Sequence, residues 1–195
     1  MQKNLCYLFI FEGFSDWEPA LAIANLRKHF NYEIRSFSFD GKPVRSMGNL
    51  QVQPDCSMQE VNVEEARMLL LPGGDIWEQG GNQEIAPLVQ QFVLAQKPVA
   101  AICGATVFLA NSGYLNSIAH TSNGLPYLQQ LAPNYKGEKL YHHHPCITDG
   151  NIITANGAAM IEFAIAIFDK LQVAPPEFLE KVKLVYKSAG MDYRF

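Results

Sequence analysis

The chain has 195 residues, of which 48% are hydrophobic and 17% charged. That apolar fraction excludes an intrinsically disordered chain, and the length suits a single domain over residues 1–195 that buries a sizeable core. The formal net charge of −4, without any basic block, argues against a nucleic-acid partner.

The first residues of the chain and its cysteines indicate the cellular compartment in which we expect the protein. The apolar run at 5–11 is too short to span a bilayer, and no small-residue cleavage site follows it. The four cysteines, at positions 6, 56, 103 and 146, form no CxxC pair and no metal-like spacing. We therefore expect reduced thiols, a cytoplasmic location, and neither a membrane partner nor a bound metal.

Short apolar runs alternate with helical patterns along the chain. In order, the predicted elements are a strand at 5–11, a helix at 20–30, a strand at 32–39, a hairpin at 44–53, a strand at 68–71, a helix at 84–96, a strand at 99–102, a helix at 105–110, a strand at 118–122, a helix at 125–131, a hairpin at 140–155, and helices at 158–171 and 176–187. This alternation predicts an α/β fold with a mainly parallel sheet covered on both faces, plus an added β-hairpin.

Residues 98–135 contain no Asp, Glu, Lys or Arg. A stretch of this length that is broken by Gly, Asn, Ser and Pro belongs in the middle of a fold, where charge is excluded. Ligands of open α/β sheets bind beyond the carboxyl ends of the strands. The residues that follow the predicted strands are therefore the candidates for a functional site.

Cys103 follows the predicted strand at 99–102 and precedes a predicted helix, with Ala101, Ile102, Gly104 and Ala105 around it. A side chain at such a strand-to-helix turn projects from a strained backbone, and a following helix N-terminus lowers the pKa of a thiol. This pattern predicts an activated nucleophile. The alternative is a buried structural cysteine.

Two further strand ends supply candidate partners for Cys103. The backbone N–H groups of Gly73, Gly74 and Gly104 would form an oxyanion hole or hold an oxidised sulfur, unless these glycines only form turns. Glu18 either closes a capping box with Ser15 or directs its carboxyl at the strand ends. Pro19 favours the second alternative, because it moves the expected helix start to a later residue.

Histidines offer two more hypotheses. His120 lies 17 residues after Cys103 and is either a general base or a structural histidine. His142 and His144 share a face if residues 140–148 form a strand, but no further metal ligand is placed near them by spacing. We interpret residues 142–144 as a solvated strand.

Several motifs together resemble the DJ-1/PfpI superfamily, also called ThiJ/PfpI, over nearly the whole chain. They are Trp17-Glu18 after the first strand, LLLPGG at 69–74, PVAAICG at 98–104, NIITA at 151–155 and IEFAIA at 161–166. The resemblance implies a flavodoxin-like three-layer sandwich that is usually dimeric. It also implies that Cys103 is paired with a protonated Glu18.

Departures from the superfamily pattern narrow the expected function. Gly104 occupies the position where protease-type members carry a histidine, and the His-x-Glu pair of class I glutamine amidotransferases is missing after residue 155. His120 resembles the histidine of DJ-1-like members, although its spacing from the cysteine is shorter by a few residues. The resemblance favours a glyoxalase-like enzyme that acts on small reactive carbonyls without glutathione or any cofactor. A redox-sensing stress-response protein, in which an oxidant modifies Cys103, is the alternative, and an amidase-like or protease-like hydrolase is the third candidate.

Overall fold

A seven-stranded sheet forms the centre of the molecule. The computed structural model describes residues 4–191. Its strands within that range are β1 (Leu5–Phe9), β2 (Glu33–Ser38), β3 (Val44–Arg45), β4 (Gln51–Val52), β5 (Cys56–Ser57), β6 (Ala66–Leu71), β7 (Val99–Ile102), β8 (Cys146–Asp149) and β9 (Ile152–Ala155). Its α-helices there are α1 (Trp17–His29), α2 (Asp75–Glu78), α3 (Ala86–Leu94), α4 (Ala105–Asn111), α5 (Leu125–Leu131), α6 (Met160–Lys170) and α7 (Pro176–Lys187).

The strand order is β5-β2-β1-β6-β7-β9-β8, and every neighbouring pair is parallel except β8 with β9. The crossover from β1 to β2 runs in one direction along the sheet, and the crossover from β6 to β7 runs in the other. Because such crossovers are right-handed, their helices cover opposite faces. Helix α1 packs with α6 on one face, and α3 packs on β6 and β7 on the other. The predicted α/β sandwich is therefore confirmed, and β3 with β4 forms the predicted added hairpin.

The central strands are apolar along their whole length because both of their faces are covered. All five residues of β1 and all four of β7 are buried. Between this sheet and α4 lies Trp77 of α2, whose ring centroid is 6.0 Å from that of Phe9 and 5.3 Å from that of Phe108. This aromatic packing supports the backbone turn between β7 and α4.

Helix α1 begins at Trp17, which corrects the predicted start at residue 20. Pro19 stands in the first turn, where its missing N–H removes no helical hydrogen bond. The helix can therefore include Glu18, and it buries that side chain.

One predicted strand is wrong, and the first strand of the predicted hairpin at 140–155 is shorter than expected. Residues 118–122 form no strand, and His120 makes only an isolated bridge with Tyr141. Strand β8 begins at Cys146, so His142 and His144 lie in an irregular segment and do not share a strand face. The two segments hydrogen-bond to each other outside the main sheet: the His120 N–H donates to the Leu140 carbonyl, and the His142 N–H donates to the His120 carbonyl.

Two short elements were not predicted, namely β5 and α2. They have two and four residues, which is too short for hydrophobic periodicity to show. The remaining predicted helices agree with the structure apart from small shifts at their ends. None of the helices within residues 4–191 combines the length and the apolar character that crossing a bilayer requires.

Candidate active site

The carboxyl ends of β6, β7 and β9 bring Cys103 and Glu18 together. A β-carbon built on Gly157, just after β9, would lie 2.8 Å from the Cys103 sulfur and 3.3 Å from Oε1 of Glu18. One built on Gly73, after β6, would lie 2.6 Å from Cβ of Cys103 and 2.8 Å from Oε2 of Glu18. Both positions require glycine, because any larger residue would separate or displace the thiol and the carboxyl.

Cys103 has the strained backbone that its position at a strand-to-helix turn predicts. Its φ is +57°, a left-handed conformation that costs a residue with a β-carbon about 1–2 kcal/mol. Its N–H donates to the carbonyl of Ala155 at 3.0 Å, and the Thr106 hydroxyl donates to its own carbonyl at 2.6 Å. These bonds hold the turn in place, so that the side chain projects at the sheet edge.

Glu18 is 1% exposed and is held by the backbone of the turn after β6. The N–H of Gly73 donates to its Oε2 at 2.6 Å, whereas Oε1 has no hydrogen-bond partner within residues 4–191. Burial raises the pKa of this carboxyl to about 7, against the opposing effects of the Gly73 N–H, the Cys103 thiol and the Ser15 hydroxyl. The carboxyl therefore exchanges a proton near neutral pH.

The thiol pKa shifts in the direction opposite to the one predicted from the following helix. Burial, and next the charge of Glu18, raises the pKa of Cys103 to about 12. Donors from Asn123 and from the Gly104 N–H lower the pKa without offsetting that rise. Because the two groups interact, they titrate as a pair: the carboxyl loses its proton first, and its charge then opposes ionisation of the thiol.

The three predicted glycine donors have different roles. The Gly104 N–H interacts with the sulfur and lowers the pKa of the thiol. The Gly73 N–H is taken by Glu18 and is not free to bind an oxyanion. The carbonyl of Gly74 accepts the N–H of Trp77, and this brings the Gly74 oxygen close to Gly104.

Asn123 is a site residue that the sequence pattern did not single out. Its Nδ2 donates to the Cys103 sulfur at 3.3 Å, and its Oδ1 accepts the Gly157 N–H at 2.9 Å. The available signal was its place in the uncharged stretch at 98–135, but one asparagine among several polar residues there is not distinctive.

The hydrogen bonds of His120 favour the structural alternative over the proton-carrier hypothesis. It is 0% exposed, with Nδ1 at 2.8 Å from the Ile118 carbonyl and Nε2 at 2.7 Å from the Tyr135 hydroxyl. A carbonyl only accepts, so Nδ1 carries the proton and Nε2 accepts from Tyr135. Burial lowers the pKa of His120, and both of its ring nitrogens are engaged away from Cys103.

A cavity of about 420 Å³ adjoins this site, and His143 and His144 line it. Asn123 belongs to its wall, whereas Cys103 and Glu18 do not. No group of three potential metal ligands occurs within the described residues, 4–191. The histidine run therefore contributes to a cavity wall beside the thiol.

Comparison with known proteins identifies the family. Residues 5–170 match the model of the DJ-1/PfpI family. The chain belongs to the DJ-1/PfpI family. It is 37% identical over 202 residues to the Bacillus subtilis relative named "Uncharacterized protease YoaZ", covering all of this chain and 96% of that protein.

Solved structures of the same superfamily have closely similar folds. The DJ-1 superfamily protein Atu0886 from Agrobacterium tumefaciens has a TM-score of 0.88 and 35% identity, covering 95% of this chain and 98% of its own. A ThiJ/PfpI family protein from Bacillus anthracis has a TM-score of 0.88 and 36% identity, covering 97% and 92%. The resemblance inferred from the motifs is thus confirmed along nearly the whole DJ-1/PfpI chain.

Proposed function

We propose that this protein converts small 2-oxoaldehydes such as methylglyoxal into 2-hydroxy acids, through Cys103 and without glutathione or another cofactor. The observation that carries the proposal is the buried Glu18 carboxyl, whose pKa is raised to about 7 beside a strained cysteine. A group that takes up and releases protons at neutral pH is what an isomerisation through an enediol requires. The carboxyl also interacts with the Cys103 thiol, so the proton can pass directly between the two groups.

The first half of the reaction forms a bond between sulfur and substrate. The Cys103 thiol transfers its proton to the Glu18 carboxylate, and the resulting thiolate attacks the aldehyde carbon. Glu18 then returns the proton to the alkoxide oxygen. The product of this half is a hemithioacetal on Cys103, with Glu18 ionised again.

The second half moves hydrogen within the bound substrate. The Glu18 carboxylate removes the proton from the former aldehyde carbon, which gives an enediolate, and delivers it to the neighbouring carbon, while the hydroxyl proton on the former aldehyde oxygen passes to the neighbouring oxygen. The former aldehyde carbon is thereby oxidised to a thioester while the ketone carbon is reduced to an alcohol. Water then hydrolyses the thioester, releasing the 2-hydroxy acid and restoring the thiol.

Cys103→Ser is expected to lower the rate of glutathione-free methylglyoxal conversion at least about 10³-fold, because serine is a much weaker nucleophile at neutral pH. Lactate formation should be followed well beyond one equivalent of protein. Cys56→Ser is the matched control, since Cys56 is also half-buried but lies on β5 at the far end of the sheet. Wild-type consumption that stops at one equivalent would contradict the enzyme proposal.

The second candidate is redox sensing, in which an oxidant such as peroxide modifies Cys103. Two neutral donors, the Asn123 amide and the Gly104 N–H, act on the sulfur and are suited to an anionic sulfur oxygen. Consumption limited to one equivalent, together with selective peroxide oxidation of Cys103 over Cys56 in peptide mass spectra, would favour this candidate. A protease-like mechanism has no corresponding support, because the residue directly after Cys103 is Gly104 and not a histidine.

We further propose that the protein is a homodimer in the cytoplasm. Three exposed apolar side chains support pairing, namely Trp17 at 44%, Met47 at 43% and Leu50 at 59% exposure. The Met47 N–H donates to Phe14, so the hairpin and the start of α1 form one surface. All four cysteines are free, which suits a reducing compartment, and cell fractionation would test that location.

Leu50→Glu is expected to convert the dimer into a monomer in a light-scattering mass measurement, because it buries a charge in an apolar interface. Leu94→Glu is the control, since Leu94 is 74% exposed but lies at the end of α3. A wild-type mass of one chain would overturn the dimer proposal.

A further inference from the structure

The side chain of Asn123 is fixed between the Cys103 sulfur and the backbone of Gly157. Its Oδ1 is 2.9 Å from the Gly157 nitrogen and its Nδ2 is 3.3 Å from the sulfur. A backbone N–H can only donate, so the amide oxygen must face Gly157. The amide NH₂ group therefore faces the sulfur, and the reversed orientation is excluded because it would oppose two donors.

The loop that carries Asn123 is anchored to the elements that form the site. The Thr121 N–H donates to the Thr154 hydroxyl of β9 at 2.9 Å, and the hydroxyls of Ser122 and Thr106 are 2.6 Å apart. Thr121, Ser122 and both partners are buried. The backbone before Asn123 is thus held in place, and the exposed amide side chain is oriented by its two hydrogen bonds, to the Gly157 N–H and to the Cys103 sulfur. A donor that is oriented before the reaction begins is the condition for effective electrostatic stabilisation.

Neutral donors supply the favourable interactions around this sulfur. Of the groups that influence its ionisation, the Glu18 carboxylate opposes a negative sulfur, whereas Asn123 and the Gly104 N–H favour one. Because Gly104 donates from the backbone, Asn123 supplies the side-chain hydrogen bond that favours ionisation of the Cys103 thiol. Hydrogen bonds to a charged acceptor are about twice as strong as neutral ones, so this contact gains strength when the thiol ionises.

We propose that Asn123 is a catalytic residue, whose NH₂ group stabilises the Cys103 thiolate and whose side chain separates the sulfur from the neighbouring cavity. This inference rests on the proposed use of Cys103 as a nucleophile, but it concerns the ionisation of the thiol and not the identity of the substrate. It can therefore be tested on the full chain without any turnover.

The test measures alkylation of each cysteine by iodoacetamide at pH 8, resolved by peptide mass spectrometry. Loss of a charge-assisted hydrogen bond should raise the thiol pKa by about one to two units. The lower thiolate fraction is partly offset by greater intrinsic nucleophilicity, so Asn123→Ala should slow Cys103 alkylation about three- to tenfold. Asn123→Asp, which has the same shape but places a carboxylate oxygen at the sulfur, should slow it further.

Two controls separate this role from a structural one. The alkylation rates of Cys56 and Cys146 in the same samples should not change, and their acceleration would reveal a loosened fold. Asn111→Ala removes the hydrogen bond between Asn111 and the Asn134 N–H at the end of α4, and it should leave Cys103 alkylation unchanged.

The direction of the change decides the outcome. If Asn123 only covers the sulfur, Asn123→Ala opens space and Cys103 alkylation becomes faster, which would overturn the inference. An unchanged rate would overturn it as well. Slower alkylation in a protein that does not convert methylglyoxal would leave the thiolate role standing and count only against the proposed reaction.

Discussion

Replacing Glu18 by glutamine is expected to lower multiple turnover of methylglyoxal by about 10²–10⁴-fold, the usual contribution of general acid–base catalysis. Glutamine can still accept the Gly73 N–H that Glu18 accepts at 2.6 Å, so the turn after β6 keeps its hydrogen bond. It cannot take up a proton, and the enediol step therefore loses its base. Lactate formation at neutral pH measures the effect.

In Glu18→Gln, the Cys103 thiol should still react once with an alkylating reagent, although it no longer supports turnover. The Glu18 charge is one of the causes that raise the pKa of Cys103, so its removal leaves iodoacetamide alkylation equal or faster. Glu12→Gln is the matched control, because Glu12 also accepts a backbone N–H, from Arg45 at 2.9 Å, but is exposed. Glu18→Gln protein that retains full turnover would refute the proton-carrying role.

Glu18 also makes folding stability depend on pH. Its pKa is raised from 4.5 to about 7 in the folded protein, so the unfolded chain ionises first as the pH rises. The stabilising contribution is complete below about pH 4.5 and is lost progressively up to about pH 7. Relative to Glu18→Gln, the wild type should lose about 3 kcal/mol of unfolding free energy over that range in urea titrations. A difference that does not vary with pH would contradict the raised pKa.

Replacing Gly104 by alanine is expected to destabilise the protein by about 1–3 kcal/mol, the usual cost of overpacking. The added β-carbon would lie 2.8 Å from the Gly74 carbonyl oxygen and 3.3 Å from the Trp77 side chain. Trp77 cannot yield easily, because its Nε1–H donates to the Pro72 carbonyl at 2.9 Å and its ring is buried among aromatic side chains. Urea unfolding of wild type and variant measures the change.

The sign of the change in unfolding free energy shows whether the β-carbon added at position 104 collides with its neighbours. Gly104 has a φ of −55°, which alanine adopts freely, so without a collision the substitution would stabilise the protein by about 0.4–1 kcal/mol. Gly80→Ala is the control, since no heavy atom lies within 4 Å of its added β-carbon. Its cost reflects only its φ of +76°, and it should leave Cys103 alkylation unchanged. Stabilisation by Gly104→Ala would show that position 104 is not crowded.

Crowding at residue 104 bears on the third candidate function. A histidine there, which the motif resemblance associates with protease-type members, would place a much larger side chain against Gly74 and Trp77. The packing of α2 beneath the turn therefore leaves little room for a histidine at position 104 of this chain. The name of the Bacillus subtilis relative, which calls it an uncharacterized protease, describes that protein and does not extend to a mechanism here.

Local sequence patterns determined the fold and half of the candidate site. Buried strands such as β1 and β7 are continuous apolar runs, and the turn after β7 is marked by the small residues that flank Cys103. The carboxyl ends of parallel strands share one edge of the sheet, so the pattern placed Cys103 and the region after β1 at that edge, and the family resemblance implied that Cys103 pairs with Glu18. These features depend on neighbours in sequence, and for that reason a single chain reveals them.

Tertiary structure alone decided the rest. The Asn123 side chain contacts the sulfur because its loop is bonded to Thr154 of β9 through the Thr121 N–H. His120, in the same irregular segment, bonds to Tyr135 instead. Such a segment has no hydrophobic periodicity from which these contacts could be predicted. The direction of the thiol pKa shift was also decided by tertiary structure. Burial and the charge of Glu18 raise the pKa of Cys103 by more than the hydrogen bonds from Asn123 and Gly104 lower it. Solvation and side-chain orientation are set by residues far apart in the chain, so no local pattern contains them.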